Sequence, residues 1–166
     1  MKDWGVYVTD EDGLNRGKWT HYKTIAKADL FSWATGDGAY AGQVVTDDNG
    51  TPNDTSDDWF YYYVPVKDKA SEAAGQDPFA IGVAKSKSPL GPWKDAIGKP
   101  LLTTSQTQIE TIDPAFFVDE DGTGYLHFGT FGTQLAIKMK KDATTGRTSY
   151  TETETKLMAP RRTSTP

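Results

Sequence analysis

Trp59-Phe60-Tyr61-Tyr62-Tyr63-Val64-Pro65-Val66 is the stretch that decides the fold. Aromatic and β-branched residues fill it, and these are the types that fit a pleated, well-covered surface. It reads as a strand. Upstream, residues 47–58 are Asp, Asn, Gly, Ser, Thr and Pro with almost nothing to bury, the composition of a loop. Residues 40–45 form a further predicted strand ahead of that loop. Downstream, residues 67–77 are polar and Ala-rich but confined by Gly75 and Pro78, and read as loop. Residues 79–86 are the next strand.

The pattern extends in both directions. Residues 4–9 and 19–25 read as strands separated by a polar turn over 10–17, and residues 28–33 as a short turn or connecting loop. Ser88-Pro89-Leu90-Gly91-Pro92 is a turn, after which Trp93 starts a short segment and residues 97–102 bring the chain back. Residues 116–118 and 125–129 pair as a hairpin across Asp119-Glu120-Asp121-Gly122. Residues 135–140 add another strand. From 142 to 166 the chain is rich in Thr, Glu, Arg and Pro. Alternation over 151–156 suggests an edge strand, and residues 159–166 are expected to be a tail without order. The expected organisation is therefore propeller blades over 1–140 and a polar edge strand with tail over 141–166.

Asp-rich turns recur near residues 10–13, 47–58 and 119–122, each ahead of a strand centred on Trp19, Tyr61 or Leu126. A spacing of roughly 40–70 residues is that of propeller blades carrying long insertions. Each blade is a four-stranded sheet set around an axis. The expected fold class is all-β, with strands for about three blades. Composition agrees. Among 166 residues, aromatics reach 12% and there are 16 Gly and 9 Pro, a mixture suited to many short strands and frequent turns.

The net charge of −5 makes nucleic acid and anionic membrane poor partners. With no cysteine, disulfides and thiolate chemistry are excluded. Met1-Lys2-Asp3-Trp4 does not open a signal peptide, and no apolar run is long enough to span a bilayer. The chain is expected to be soluble, and its compartment is open.

Asp113 stands apart from the other acids. It lies between Ile112 and Pro114, directly before Ala115-Phe116-Phe117-Val118. A carboxylate at the mouth of a buried strand is costly unless it is hydrogen-bonded or used. Pro114 biases it towards an extended backbone. The alternative is an acid that only caps a turn. Aromatic side chains can stack on the apolar faces of sugar rings. Trp33, Tyr40, Trp93 and Phe128 are candidate platforms, each with a plain core role as the alternative. His21 and His127 do not make a metal site by spacing. The loop over 47–58 could hold a structural calcium through its oxygens, although it lacks an EF-hand pattern. No other cofactor is expected.

Several stretches together resemble glycoside hydrolase family 43, whose members are five-bladed propellers that trim arabinan and xylan. They are Met1-Lys2-Asp3-Trp4, Phe31-Ser32-Trp33-Ala34 and Ala39-Tyr40-Ala41-Gly42-Gln43-Val44. Tyr61-Tyr62-Tyr63-Val64-Pro65-Val66, Ser86-Lys87-Ser88-Pro89-Leu90-Gly91-Pro92-Trp93 and Ile112-Asp113-Pro114-Ala115-Phe116-Phe117-Val118 follow in the family's order. The resemblance implies an inverting glycosidase with three acids at the axis: an Asp base, a Glu acid, and an Asp that raises the acid's pKa and orients it. Asp113 matches the third. The base's Asp-Pro motif would precede the Met-x-Asp-Trp segment. No Glu here stands in the acid's Glu-Gly-Pro or Glu-Ala-Pro context. Glu152 and Glu154 lie in a Thr-rich run. Tyr40 replaces the family's usual Trp, and the loop over 47–58 looks like an insertion. The chain is thus expected to be an internal fragment or a shortened relative, with Asp3 as a substitute base near the axis. An incomplete propeller exposes edges, which a homo-oligomer would cover. A sugar-binding piece without catalysis, and a retaining hydrolase of the fructan or sucrose type, are the competing readings.

Overall fold

A computed structural model of the chain describes residues 3–9, 18–35, 38–130 and 132–158. The polar turn expected over 10–17 and the tail over 159–166 lie outside them.

The elements are β1 (Asp3–Val8), β2 (Thr20–Ala26), α1 (Lys27–Leu30), β3 (Gln43–Asp47), β4 (Trp59–Lys67), α2 (Lys69–Ala73), β5 (Phe79–Ser86), β6 (Lys94–Asp95), β7 (Leu102–Thr103), α3 (Thr104–Thr107), β8 (Ala115–Val118), β9 (Gly124–Thr130), β10 (Thr133–Lys141) and β11 (Thr148–Met158). They make three antiparallel sheets: β1-β2, then β3-β4-β5-β6 with β7 also on β5, then β8-β9-β10-β11. β6 lies against Ala84 and Lys85 and β7 against Ala80 and Ile81, so together they form one broken outer strand. The protein is an all-β, partial β-propeller. The Asp-rich turns at 47–58 and 119–122 occupy one equivalent position, the first hairpin of their sheets.

Why the stretch 59–66 is apolar throughout is now plain: the middle sheet is covered on both faces. Side chains of a strand alternate between faces. Tyr63, with Ile81 and Val83, enters a core shared with Phe116, Leu126, Phe128, Leu135, Ile137 and Met139 of the third sheet. Tyr62, Val64 and Val66 point the other way, into a core with Trp4, Leu30, Phe31, Ala34 and Ala39. The Tyr63 ring stacks on Phe116 at 5.2 Å, and its hydroxyl donates to the carbonyl of Tyr150 at 2.6 Å. β11, the predicted edge strand, is the outer strand of the third sheet, and Tyr150 ties it to the middle one.

Two local expectations change. Residues 69–73 are helical, where the sequence reads as loop. Asp68 caps that turn, its carboxylate accepting from the amide of Ser71 at 2.9 Å and its hydroxyl at 2.8 Å. Gly75, at φ 68°, follows its end. The strand expected from Tyr40 instead starts at Gln43.

Buried phenols give the fold an alkaline limit. Burial pushes Tyr62 and Tyr150 up to about 12, and Tyr63 well above its ordinary value. An unfolded tyrosine ionises near 10. Between about pH 10 and 12 the folded chain therefore holds protons that the unfolded chain has released, so stability declines with rising pH across that window and is complete below it. The phenolate absorbance of Tyr62, Tyr63 and Tyr150 is expected to appear only as the near-ultraviolet circular dichroism collapses. Their ionisation in an early step that leaves the fold intact would contradict this packing.

Candidate active site

Asp113 leads into β8, the inner strand of the third sheet, and its backbone is held from several directions. Thr111 is buried, and its hydroxyl donates to the carbonyl of Phe79 at 2.7 Å, at the start of β5. The carbonyl of Ile112 accepts from the amide of Gly129 at 2.9 Å, at the end of β9. Pro114 is buried. Beyond it, Gln43 of β3 joins the two inner strands, its carbonyl accepting from the amide of Phe116 at 2.5 Å and its amide donating to the Phe116 carbonyl at 3.3 Å.

The carboxylate itself is exposed. Two expectations are corrected here. Asp113 has φ 51°, a left-handed rather than an extended conformation. The chain turns sharply between the Ile112–Gly129 bond and the strand, and Asp is one of the few residues that tolerates φ above zero. Nor is β8 a buried strand. Phe116 is its one buried residue, while Phe117 and Val118 are each 44% exposed. The cost of burying a charge therefore plays no part at Asp113. What distinguishes it is a fixed backbone that presents a free-standing acid.

The aromatic candidates separate. Tyr40 is half-buried, its ring edge-on to Phe79 at 5.1 Å, and its carbonyl accepts from the Trp4 indole at 2.7 Å. Phe79 thus contacts Tyr40 through its ring and holds Thr111 through its carbonyl, which sets Tyr40 and Asp113 at the same end of the sheets. Trp33 is half-buried, donates its indole N–H to Asp95 at 2.9 Å, and packs on Phe31. It ties the connecting segment to β6. Trp93 lies against Tyr62 at 5.6 Å. Phe128 is 1% exposed and sits in the core with Leu126, so it has no face to offer a sugar. Asp3 opens β1 opposite Ala26, on the face of the strand away from Trp4. The middle sheet stands between it and the third, where Asp113 lies. Gln43 and Gly129, which fix Asp113, were not singled out from the sequence. Their roles depend on which strands become neighbours.

Among the described residues, no three His, Asp or Glu side chains converge to grip an ion. Four carboxylates of the loop over 47–58 are already engaged, whereas the Oδ1 of Asp58 is buried without a hydrogen-bond partner. Asp48 accepts from the amide of Gly50, Asp54 from Ser56, and Asp57 from Asn49 and Thr51. These bonds hold Asp54 and Asp57 below the usual carboxylate range. Asp47 pairs with Arg147, which also donates to Asn49 at 2.6 Å and so fastens the loop to the third sheet. No helix among the described residues is long and apolar enough to cross a membrane.

Three successive antiparallel sheets, with Asp113 leading into the inner strand of the third, make a partial propeller. The defining sequence pattern of glycosyl hydrolases family 43 matches residues 14–165, and the chain belongs to that family. It is 55% identical over 53 residues to an arabinoxylan arabinofuranohydrolase of Bacillus subtilis, covering 30% of this chain and 10% of that protein. It is 29% identical over 136 residues to the beta-D-galactofuranosidase xynD of Aspergillus niger, covering 81% and 37%. Among solved structures, a family 43 arabinoxylan arabinofuranohydrolase from Bacillus subtilis in complex with cellotetraose superposes with TM-score 0.60 at 26% identity, covering 94% of this chain and 33% of that one. The chain thus spans well under half the length of these relatives.

Proposed function

We propose that this chain is the part of an inverting glycosidase that supplies the pKa-modulating acid, acting on arabinose- or xylose-containing plant polysaccharide. One observation carries the reading. Asp113 presents an exposed carboxylate from a backbone pinned through Thr111, Ile112 and Phe116 to three different strands. Inversion requires a general acid that stays protonated near neutral pH and a base set far enough away to admit water. A fixed negative charge beside the acid raises its pKa by repulsion. Tyr40, at the same end of the sheets, and Trp33 are the proposed sugar contacts. Asp3, at the start of β1, is the substitute base of this reading. The chemistry needs only carboxylates and water.

The open ends of the blade row bear exposed aromatics, Tyr7 against His21 at one and Phe117 against Tyr125 and His127 at the other. These support closure of the row by further sheet, from a second copy or from additional polypeptide.

The test is hydrolysis of aryl arabinofuranosides and xylosides, with the anomeric configuration of the first product followed by proton NMR. Release of the inverted sugar is the expected result. Retention would transfer the chain to the fructan or sucrose type of hydrolase. Binding of xylo- or arabino-oligosaccharides without turnover, by calorimetry, would reduce it to a sugar-binding module.

A further inference from the structure

At the far ends of the strands from Asp113 lies a cavity. Asp47, the last residue of β3, pairs with Trp59, the first of β4, whereas Gln43, beside Phe116, pairs with Tyr63. The cavity has a volume of about 460 Å³ and is lined by Trp59, Lys85, Ser86, Lys87, Pro92 and Lys94 among others. That is within the range of small-ligand pockets, roughly 300–1,000 Å³.

Its charge is at odds with the rest of the molecule. The chain carries −5 overall, yet three lysines line this one cavity. Lys85 of β5 and Lys94 of β6 are direct cross-strand partners. Like charges placed directly opposite destabilise a sheet. No carboxylate among the described residues forms an ion pair with either: the ion pairs there involve Lys140 and Arg147. Lys87 has a structural task, since its ammonium donates to the carbonyls of Asp57 and Asp58 at 2.7 and 3.0 Å and lies 4.3 Å from the centre of the Trp59 ring. The Lys85 ammonium is 5.2 Å from the same ring. Lys85 and Lys94 are thus opposed cations beside an aromatic wall, with Ser86 and Ser88 also in the lining.

We propose that this cavity binds an acidic saccharide, a sugar ring bearing a carboxylate such as a uronic acid substituent. The carboxylate sits between Lys85 and Lys94 and relieves their repulsion. The C–H face of the ring lies against Trp59, as apolar faces lie on indole. The site is separate from Asp113 and would hold a substituted polysaccharide while another part of it is cut. The anionic part of the proposal rests on the opposed lysines. The choice of a sugar acid rests on the carbohydrate reading above.

The test titrates the chain with a glucuronic-acid-substituted xylo-oligosaccharide, an unsubstituted xylo-oligosaccharide of equal length, and sodium acetate, followed by calorimetry and tryptophan fluorescence. The acidic oligosaccharide is expected to bind at least about tenfold more tightly than the neutral one, weakening as salt rises. Lys85→Gln with Lys94→Gln should abolish that preference and leave hydrolysis of aryl glycosides unchanged. The double variant should also melt higher than the parent in the absence of ligand, because the repulsion is gone, which shows that it folds. The acidic sugar should raise the parent's melting temperature and not the variant's. Equal binding of acidic and neutral sugars, or a preference that survives both substitutions, overturns the proposal. Acetate binding as tightly as the sugar acid overturns the saccharide part. Asp113→Asn should not affect this binding, so loss of hydrolysis and loss of this site are read separately.

Discussion

Replacing Gly129 by alanine is expected to lower the melting temperature by roughly 6–12 °C, through a loss of about 3 kcal/mol. Two costs add at this position. Its φ of 122° is a conformation that residues with a side chain rarely adopt. A Cβ built there would stand 2.3 Å from the carbonyl oxygen of Thr133 and 3.1 Å from the Cα of Gln134, both backbone atoms of the paired strand β10. A backbone contact cannot swing aside as a side chain can, so β9 and β10 would have to part where they turn. Gly122 is the control. It too has positive φ, 74°, but no atom lies within 4 Å of its built Cβ. Gly122→Ala should therefore cost only the conformational strain, about 1 kcal/mol. Melting temperatures that agree within two or three degrees for the two variants would contradict the close approach at Gly129. The consequence reaches function, because the amide of Gly129 holds the carbonyl of Ile112. If β9 shifts, Asp113 loses an anchor.

Much of this fold was legible, and the parts that were not have identifiable reasons. Residues 59–66 announced a strand because both of its faces are covered, which leaves no polar position to confuse the pattern. Phe128 was readable in principle. It shares parity with Leu126 on β9, and both are buried, while Tyr125 and His127 alternate onto the open face. Counting by twos would have placed it in the core and removed it as a sugar platform. The helix at 69–73 reads as loop because Gly75 and Pro78 confine the segment and a turn this short has little periodicity. Its start and stop signals, Asp68 three residues before Ser71 and then Gly75, were present. Asp113 was visible through its Ile-Asp-Pro setting, yet its exposure was not, since that depends on β8 being an inner edge with one buried residue. The Lys85–Lys94 opposition was out of reach. It depends on the register of two strands joined through a turn holding two prolines, and no local pattern states that register.

Asp113→Asn should lower kcat/KM on aryl arabinofuranosides or xylosides about 10²–10³-fold while leaving the fold intact. The magnitude is that of impaired general acid–base catalysis. Asparagine is the informative replacement, because like aspartate it is enriched among residues with positive φ and so fits the 51° found here. An alanine would mix loss of charge with backbone strain. Since the side chain is exposed, its amide leaves no buried group unsatisfied, and the melting temperature should stay within about 2 °C of the parent. The sign of the pH effect distinguishes modulation from mere structure. With the negative charge present, the neighbouring acid keeps its proton to higher pH. With that charge removed, its pKa falls and the basic limb of the rate profile moves to lower pH. Activity should therefore recover in part as the assay is made more acidic. A structural role would lower the rate equally at every pH and would not move that limb. An unchanged rate, or an unmoved basic limb beneath a reduced plateau, would remove Asp113 from the assigned role and leave it as an acid that shapes a turn.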